Sequence, residues 1–201
     1  MKLWGRLLAL SVALGACALC LPTATTAQDR DSAHKELIGK PAFDMKTGFT
    51  LNGKQVTMED LRGKVVLLDF WAVWCGPCVA TFPHLRDWHT KYNKKGLETV
   101  GVTQFYRRFD FENGKVKQAT TPLSTSEEEA MLEKFVKHHK LKHRIVAMQD
   151  DDANDLKKYY RVSGIPQVVL INRDGNIRLI KVGATEAAAK AIEAEIKKLV
   201  S

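Results

Sequence analysis

Cys75 and Cys78 stand in Trp74-Cys75-Gly76-Pro77-Cys78, directly after the apolar run Val65-Val66-Leu67-Leu68-Asp69-Phe70-Trp71. The run reads as a buried strand, and Pro77 stands where a helix's first turn has no N–H to lose. Two cysteines at that junction share one face of the first helical turn, close enough to bridge reversibly. The helix N-terminus favours the thiolate of the first thiol, which makes Cys75 a nucleophile near neutral pH. Gly76 lets a substrate backbone come close, and Trp74 shields the pair while offering an apolar contact surface. Zinc sites use the same spacing, but zinc needs two further ligands, commonly a second cysteine pair or paired histidines. The other cysteines, Cys17 and Cys20, fall in a segment that does not belong to the mature domain. The pair therefore reads as redox-active, and no metal is expected.

Other clusters of chemistry-bearing residues have plainer readings. His138, His139 and His143 stand among Lys137, Lys140 and Lys142, cations that repel a metal, and read as a solvated basic surface. Asp150, Asp151, Asp152 and Asp155 lack the alternating spacing and closing glutamate of a calcium loop and read as a turn that starts a helix. No Gly-rich phosphate loop and no nucleophile-elbow serine is present, so no cofactor is expected.

Residues 1–27 have the organisation of an export signal. Lys2 and Arg6 precede a mostly apolar stretch from Leu7 to Leu21, and Thr25-Thr26-Ala27 offers a small-residue cleavage site. Leu14-Gly15-Ala16-Cys17 also resembles a bacterial lipobox, which would lipidate Cys17, and an uncleaved signal anchor is the third option. All three place the domain outside the cytoplasm, periplasmic or on the outer face of a membrane. Residues 28–36 read as a linker and 37–201 as one domain, in keeping with a chain of 201 residues. The formal net charge is +8; the signal holds two of the 31 cations and none of the 23 acids, leaving 29 against 23. That surplus lacks the concentrated basic patch of a nucleic-acid binder. A single vicinal cysteine pair in an oxidising compartment stays oxidised unless a partner reduces it, which implies an electron-donor protein if the chain is a reductase.

The pair must be positioned by an α/β domain. Phe49 to Val56 carries an Asn52-Gly53 turn between short strand-like runs, a hairpin signature, and Thr57 to Leu61 predicts a helical turn. Val65 to Phe70 is a strand, Pro77 to Tyr92 a helix with Pro83 inside it and a kink expected there, and Leu97 to Thr103 the next strand. Gln104 to Ser124 is an insertion after that second core strand. Its run Phe105-Tyr106-Arg107-Arg108-Phe109-Asp110-Phe111 is expected to pack as a local hairpin, with a substrate- or partner-contacting surface as the other reading. Ser126 and Glu129 predict a capping box opening a helix to His138 or His139. A strand at Ile145 to Met148, a helix around Asp155 to Tyr160, a hairpin of Val168–Ile171 and Ile177–Val182 about Asp174-Gly175, and a closing helix Glu186 to Val200 complete the chain.

Taken together these residues resemble the thioredoxin superfamily, and within it the exported TlpA/ResA-like thiol-disulfide oxidoreductases, over roughly residues 37–200. The carriers are Leu51-Asn52-Gly53-Lys54 through Gly63-Lys64-Val65-Val66, Phe70-Trp71-Ala72, Trp74 to Cys78, Pro83, Gly164-Ile165-Pro166 and Asp174-Gly175. The resemblance implies a thioredoxin fold: a central mixed β-sheet flanked by helices, with an N-terminal β-hairpin extension and the insertion already noted. It implies a cis-proline at Pro166, with the Ile165 backbone free to pair with an extended substrate and present its disulfide to Cys75. It also implies protein substrates with disulfides, the haem-binding cysteines of apocytochrome c among them, and a membrane electron donor. This chain departs from the ResA-like pattern at Thr81, where that branch commonly has glutamate, and carries Asp69 in the strand as thioredoxin does. A carboxylate buried there has a raised pKa, suited to accept and return the Cys78 proton.

Two other functions share parts of this pattern. A peroxide reductase needs a Pro-x-x-x-Thr-x-x-Cys context, but Ala72 occupies the threonine position and Asp69-Phe70 the proline region. A lipid-anchored, non-catalytic binding module would not need Cys75, Cys78, Asp69 and Pro166 together. Dithiol-disulfide exchange through Cys75 and Cys78, running as a reductase, is the reading the residues support.

Overall fold

A computed structural model describes residues 32–46 and 48–201; the expected export signal over 1–27, with Cys17 and Cys20, lies outside them. The strands are β1 (Phe49–Leu51), β2 (Val65–Phe70), β3 (Leu97–Gln104), β4 (Phe109–Glu112), β5 (Lys115–Gln118), β6 (Arg144–Met148), β7 (Gln167–Ile171) and β8 (Ile177–Val182). The long helices are α1 (Gly76–Tyr92), α2 (Thr125–His138), α3 (Asp150–Tyr159) and α4 (Glu186–Val200). Six strands form one sheet in the order β1-β6-β3-β2-β7-β8. β2 runs parallel to β3 and β3 to β6, while β1, β7 and β8 pair antiparallel, so the sheet is mixed as expected.

β2 is central, and all six of its side chains are buried. Alternation divides them between two cores. Val65 and Leu67 face a layer built by α1, α2 and α4, with Phe82, Leu85, Trp88, Leu132, Phe135, Ile192 and Ile196. Val66, Leu68 and Phe70 face α3 and the N-terminal segment, with Leu37, Met45, Leu61, Leu156 and Tyr160. Both faces of the sheet are covered, which explains why β2 and β7 read as continuous apolar runs and not as alternating ones.

Several boundaries differ from the sequence expectation. The N-terminal hairpin does not form: β1 pairs with β6 through Phe49↔Ala147 and Leu51↔Ile145, and residues 52–56 hold no strand. Asn52 (φ 59°) turns the chain, but its amide donates to the Leu141 and His143 carbonyls at 2.9 Å each, and the Arg144 guanidinium bonds the Lys54 carbonyl. Side chains thus tie this turn to β6, where a hairpin would have folded it back on itself. The capping box of α2 is Ser124 with Glu127, two residues earlier than expected. α3 starts at Asp150, so the three aspartates form its first turn, where the helix dipole favours them. Residues 32–35 are helical; His34 Nε2 lies 3.0 Å from the Arg161 carbonyl, and Arg161 pairs with Glu36.

The insertion is a two-stranded hairpin of β4 and β5 turning at Asn113-Gly114, both at positive φ as a tight two-residue turn requires. Its root is held by Glu128 of α2. That carboxylate is buried, and its two oxygens accept the Tyr106 and Arg107 backbone N–H groups at 2.7 and 2.8 Å. Burial raises the Glu128 pKa, with the two N–H groups pulling the other way.

Two substitutions test this packing. Gly101 on β3 leaves room for the Trp71 indole: a Cβ there would stand 2.7 Å from Ile145 Cδ1 and 2.9 Å from Trp71 Nε1. Gly101→Ala should lower stability by about 1–3 kcal/mol through overpacking, measured as a reduced denaturant midpoint at unchanged slope. Glu128→Ala strands two N–H groups at a buried junction and should cost about 1–3 kcal/mol. Hydrogen exchange should then quicken in β4 and β5 while β2 and β7 keep their protection; uniform protection across both would contradict the anchoring role.

Candidate active site

Cys75 is the N-cap of α1, in extended conformation, and Pro77 stands in the helix's first turn. The two sulfurs are bonded at 2.02 Å, with the Cα atoms 5.2 Å apart. Cys75 Sγ also accepts the Cys78 backbone N–H at 3.2 Å, one of the helix N–H groups that has no partner within the helix itself. Access is unequal. Cys78 is fully buried and Cys75 is 4% exposed, while Trp74, Gly76 and Pro77 around it are open to solvent. An incoming sulfur therefore meets Cys75. Thr81, at the departure from the ResA-like pattern, donates its hydroxyl to the Cys78 carbonyl at 2.7 Å.

Asp69 occupies the fifth position of β2, paired with Gly101 on β3 and Val168 on β7. Alternation turns its side chain to the face covered by α1, the layer that holds Cys78. It is buried, and neither carboxylate oxygen has a hydrogen-bond partner among the described residues. Burial alone pushes its pKa up to about 7.

The same face carries other buried polar groups. Thr99 and Thr103 of β3, Trp71 Nε1 and both ring nitrogens of His143 are likewise without partners among the described residues. His143 corrects the sequence expectation of a solvated histidine cluster. It lies two positions before Ile145 and shares that residue's inward face, so it is buried beside His89, with ring centroids 6.2 Å apart. Desolvation, reinforced by the His89 and Arg86 charges, pushes its pKa down to about 3. His139 is half-buried against Phe135, at 4.4 Å, and only His138 is exposed. The Lys-rich context of these histidines obscured the alternation that places His143 inward.

Ile165-Pro166 is a cis peptide at the start of β7. The Pro166 carbonyl accepts the Gly183 N–H at 2.8 Å, whereas the Ile165 backbone makes no hydrogen bond among the described residues. On the other flank, Trp74 packs edge-on to Tyr106 at 5.6 Å and lies 6.1 Å from Phe109. Phe111 instead turns inward onto Phe135 at 5.2 Å. The hairpin thus buries one of its own aromatics, as expected, and sends two others to the tryptophan beside Cys75. The alternation of Phe109 and Phe111 with charged neighbours carried a strand signal, but nothing in the sequence said which face would meet Trp74.

The sequence matches the Redoxin family over residues 37–196. It is 28% identical over 149 residues to the thiol-disulfide oxidoreductase ResA of Bacillus thuringiensis subsp. konkukian, covering 74% of this chain and 71% of that one. ResA of Bacillus subtilis is 27% identical over 132 residues, 66% of this chain and 60% of that one. Among solved structures, a putative thiol:disulfide interchange protein DsbE from Chlorobium tepidum is 30% identical, with a TM-score of 0.59 over 82% of this chain and 98% of that chain. With a bridged Cys75–Cys78 pair inside the matched region, the chain belongs to the Redoxin family, as a thiol-disulfide oxidoreductase that works by dithiol-disulfide exchange.

Proposed function

We propose that this chain is an exported disulfide reductase that passes two electrons from a membrane electron-donor protein to disulfides in substrate proteins. The observation that carries the reading is a closed Cys75–Cys78 bridge, approachable only at Cys75, on the sheet face that holds an unpaired buried carboxylate. In the reduced protein the Cys75 thiolate attacks a substrate sulfur, breaks the substrate S–S bond and expels one substrate thiolate. Cys78 then attacks Cys75 Sγ, the mixed disulfide breaks, and the second substrate thiolate leaves as the protein's own bridge closes. The two electrons of the dithiol end on the two substrate sulfurs, which take up two protons.

Asp69 accepts the Cys78 proton as that thiol becomes a nucleophile, through water where the two do not touch. A carboxyl titrating at about 7 is able both to take and to return a proton at neutral pH. The unpaired Ile165 backbone offers an N–H and a C=O to an extended substrate segment, and Pro166 fixes that turn. Gly76 and Pro77 leave the approach to Cys75 open, and Trp74 supplies an apolar contact. The family resemblance offers the haem-binding cysteines of apocytochrome c as substrate. Among the described residues no helix is long and apolar enough to cross a membrane. Attachment would therefore come through a lipidated Cys17 or an uncleaved signal, which the intact mass of the exported protein distinguishes.

Two measurements test the mechanism. Equilibration against defined thiol buffers should place the Cys75–Cys78 potential near about −270 mV, the thioredoxin end of the scale; a value near about −120 mV would make the protein a disulfide-forming enzyme. The second is a pH profile. The Asp69 pKa is raised on folding from 3.8 to about 7, so the protonated carboxyl stabilises the fold below about pH 4 and that contribution is lost as pH rises through 7. Asp69→Asn should therefore stabilise the protein increasingly from pH 4 to pH 8, by roughly 3–4 kcal/mol in all at about 1.4 kcal/mol per unit. The same substitution should slow release of the mixed disulfide and remove the inflection near pH 7. An unchanged inflection would exclude Asp69 as the base.

A further inference from the structure

The thiol-disulfide exchange needs only Cys75, Cys78, a base and a strand to hold, and it leaves the β4–β5 hairpin without a task. Yet the hairpin stands at the site. Trp74, Tyr106 and Phe109 form a triad with centroid separations of 5.6, 6.1 and 6.3 Å, and Trp74 itself is 45% exposed. On either side of the Trp74–Phe109 wall opens a cavity. One, about 420 Å³, is lined by Val79, Phe111, Val116 and Phe135, with Lys117 and His139 at its polar edge. The other, about 510 Å³, is lined by Phe105 and Tyr106, with Gln104, Arg108 and Asp150. Both fall within the roughly 300–1,000 Å³ of specific ligand sites.

The charges around these cavities are not equivalent. Lys117 pairs with Glu112, and Asp150 accepts the Gln104 amide at 2.9 Å. Arg108 is exposed and has no acidic partner among the described residues. Residues 105–124 hold four cations (Arg107, Arg108, Lys115, Lys117) against Asp110 and Glu112. The surface next to Cys75 is therefore aromatic, and the insertion that flanks it carries a net cationic excess with Arg108 unpaired among the described residues.

We propose that the hairpin is a substrate selector. It takes an extended disulfide-bearing polypeptide with a bulky apolar residue beside the attacked cysteine, seated against Trp74 and Phe109, and an acidic residue nearby, paired with Arg108. This inference rests on the reductase reading. The selector takes no part in electron transfer; it sets which disulfide reaches Cys75. Glu128, through the Tyr106 and Arg107 N–H groups, positions the platform and does not touch the substrate.

The test uses the purified protein, reduced with dithiothreitol and freed of it, and follows the second-order rate of a single turnover. The substrates are disulfide peptides differing only in Phe or Ser beside a cysteine and Glu or Lys nearby, with bis(2-hydroxyethyl) disulfide as a small substrate that needs no docking. The Phe/Glu peptide should react about tenfold faster than the Ser/Lys peptide, equivalent to ~1.4 kcal/mol. Phe109→Ala should bring the Phe-to-Ser rate ratio close to one. Arg108→Glu, at an exposed position that leaves the fold intact, should invert the Glu-to-Lys ratio, and added salt should shrink it. Reduction of the small disulfide together with equal rates for all peptides would overturn the selector and leave the reductase standing. Failure to reduce even the small disulfide would overturn both.

Discussion

A carboxylate in the middle of a sheet without a hydrogen-bond partner is expensive to ionise, and the chain keeps one at Asp69, which has none among the described residues. Every other side chain of β2 is apolar and buried, so the strand is held in register from both faces and cannot rotate the acid toward water. One face of Asp69's environment is opened by Gly101, the paired residue on β3, which contributes no side chain. The side chain of the other pairing residue, Val168, carries no polar atom. The sheet therefore fixes both the position and the proton affinity of the group, and the strand that does so ends only a few residues before Cys75. Strand register, acid and disulfide are parts of one constraint.

The helix that carries the disulfide meets this constraint from above. Cys75 caps α1, so its sulfur lies where backbone N–H groups converge, and Cys78 one turn on is sealed into the apolar layer. The two sulfurs consequently differ in access by construction, which assigns the order of attack without any appeal to their chemistry. Trp74 is the one large aromatic left in the open at that point, and the insertion reaches it with Tyr106 and Phe109. Glu128 links this outer layer to the core at its own cost: a buried carboxyl on α2 spends both oxygens on two loop N–H groups. The outer layer and the core are thus coupled through Glu128 and through the packing of Phe111 on Phe135.

Much of this was legible in the sequence where the signal was local. Pro77, the Asp174-Gly175 turn and the run Glu186 to Val200 mark α1, the β7–β8 hairpin and α4, and the observed bounds fall within a residue or two of those expected. Ser124 and Ser126 each have a glutamate three residues on, so the capping motif alone could not choose between them; the Ser124–Glu127 pair closes both bonds. The Asn52-Gly53 turn misled because its partners, Leu141, His143 and Arg144, lie some ninety positions away. His143 was missed for a related reason. Its inward direction follows from the register of β6 against β3, which no run of neighbouring lysines reveals. The Cys75, Cys78 and Asp69 triplet needed no such distant information, since strand, helix start and spacing all fall between Val65 and Cys78.

Asp69 and His143 sit on the same face of the sheet and carry opposite proton linkages. Asp69 titrates at about 7 in the fold against 3.8 unfolded, so between those values the native state holds the extra proton and stability falls as pH rises. His143 titrates at about 3 in the fold against 6.5 unfolded, so across nearly the same interval the unfolded state holds the extra proton and stability rises with pH. Between about pH 4 and 6.5 the two slopes are opposite in sign and offset one another. The fold can therefore bury an acid that titrates near neutral pH without making its own stability steeply dependent on acidity across that interval. Above 6.5 the compensation ends, and the cost of ionising Asp69 falls on the fold without an opposing slope from His143.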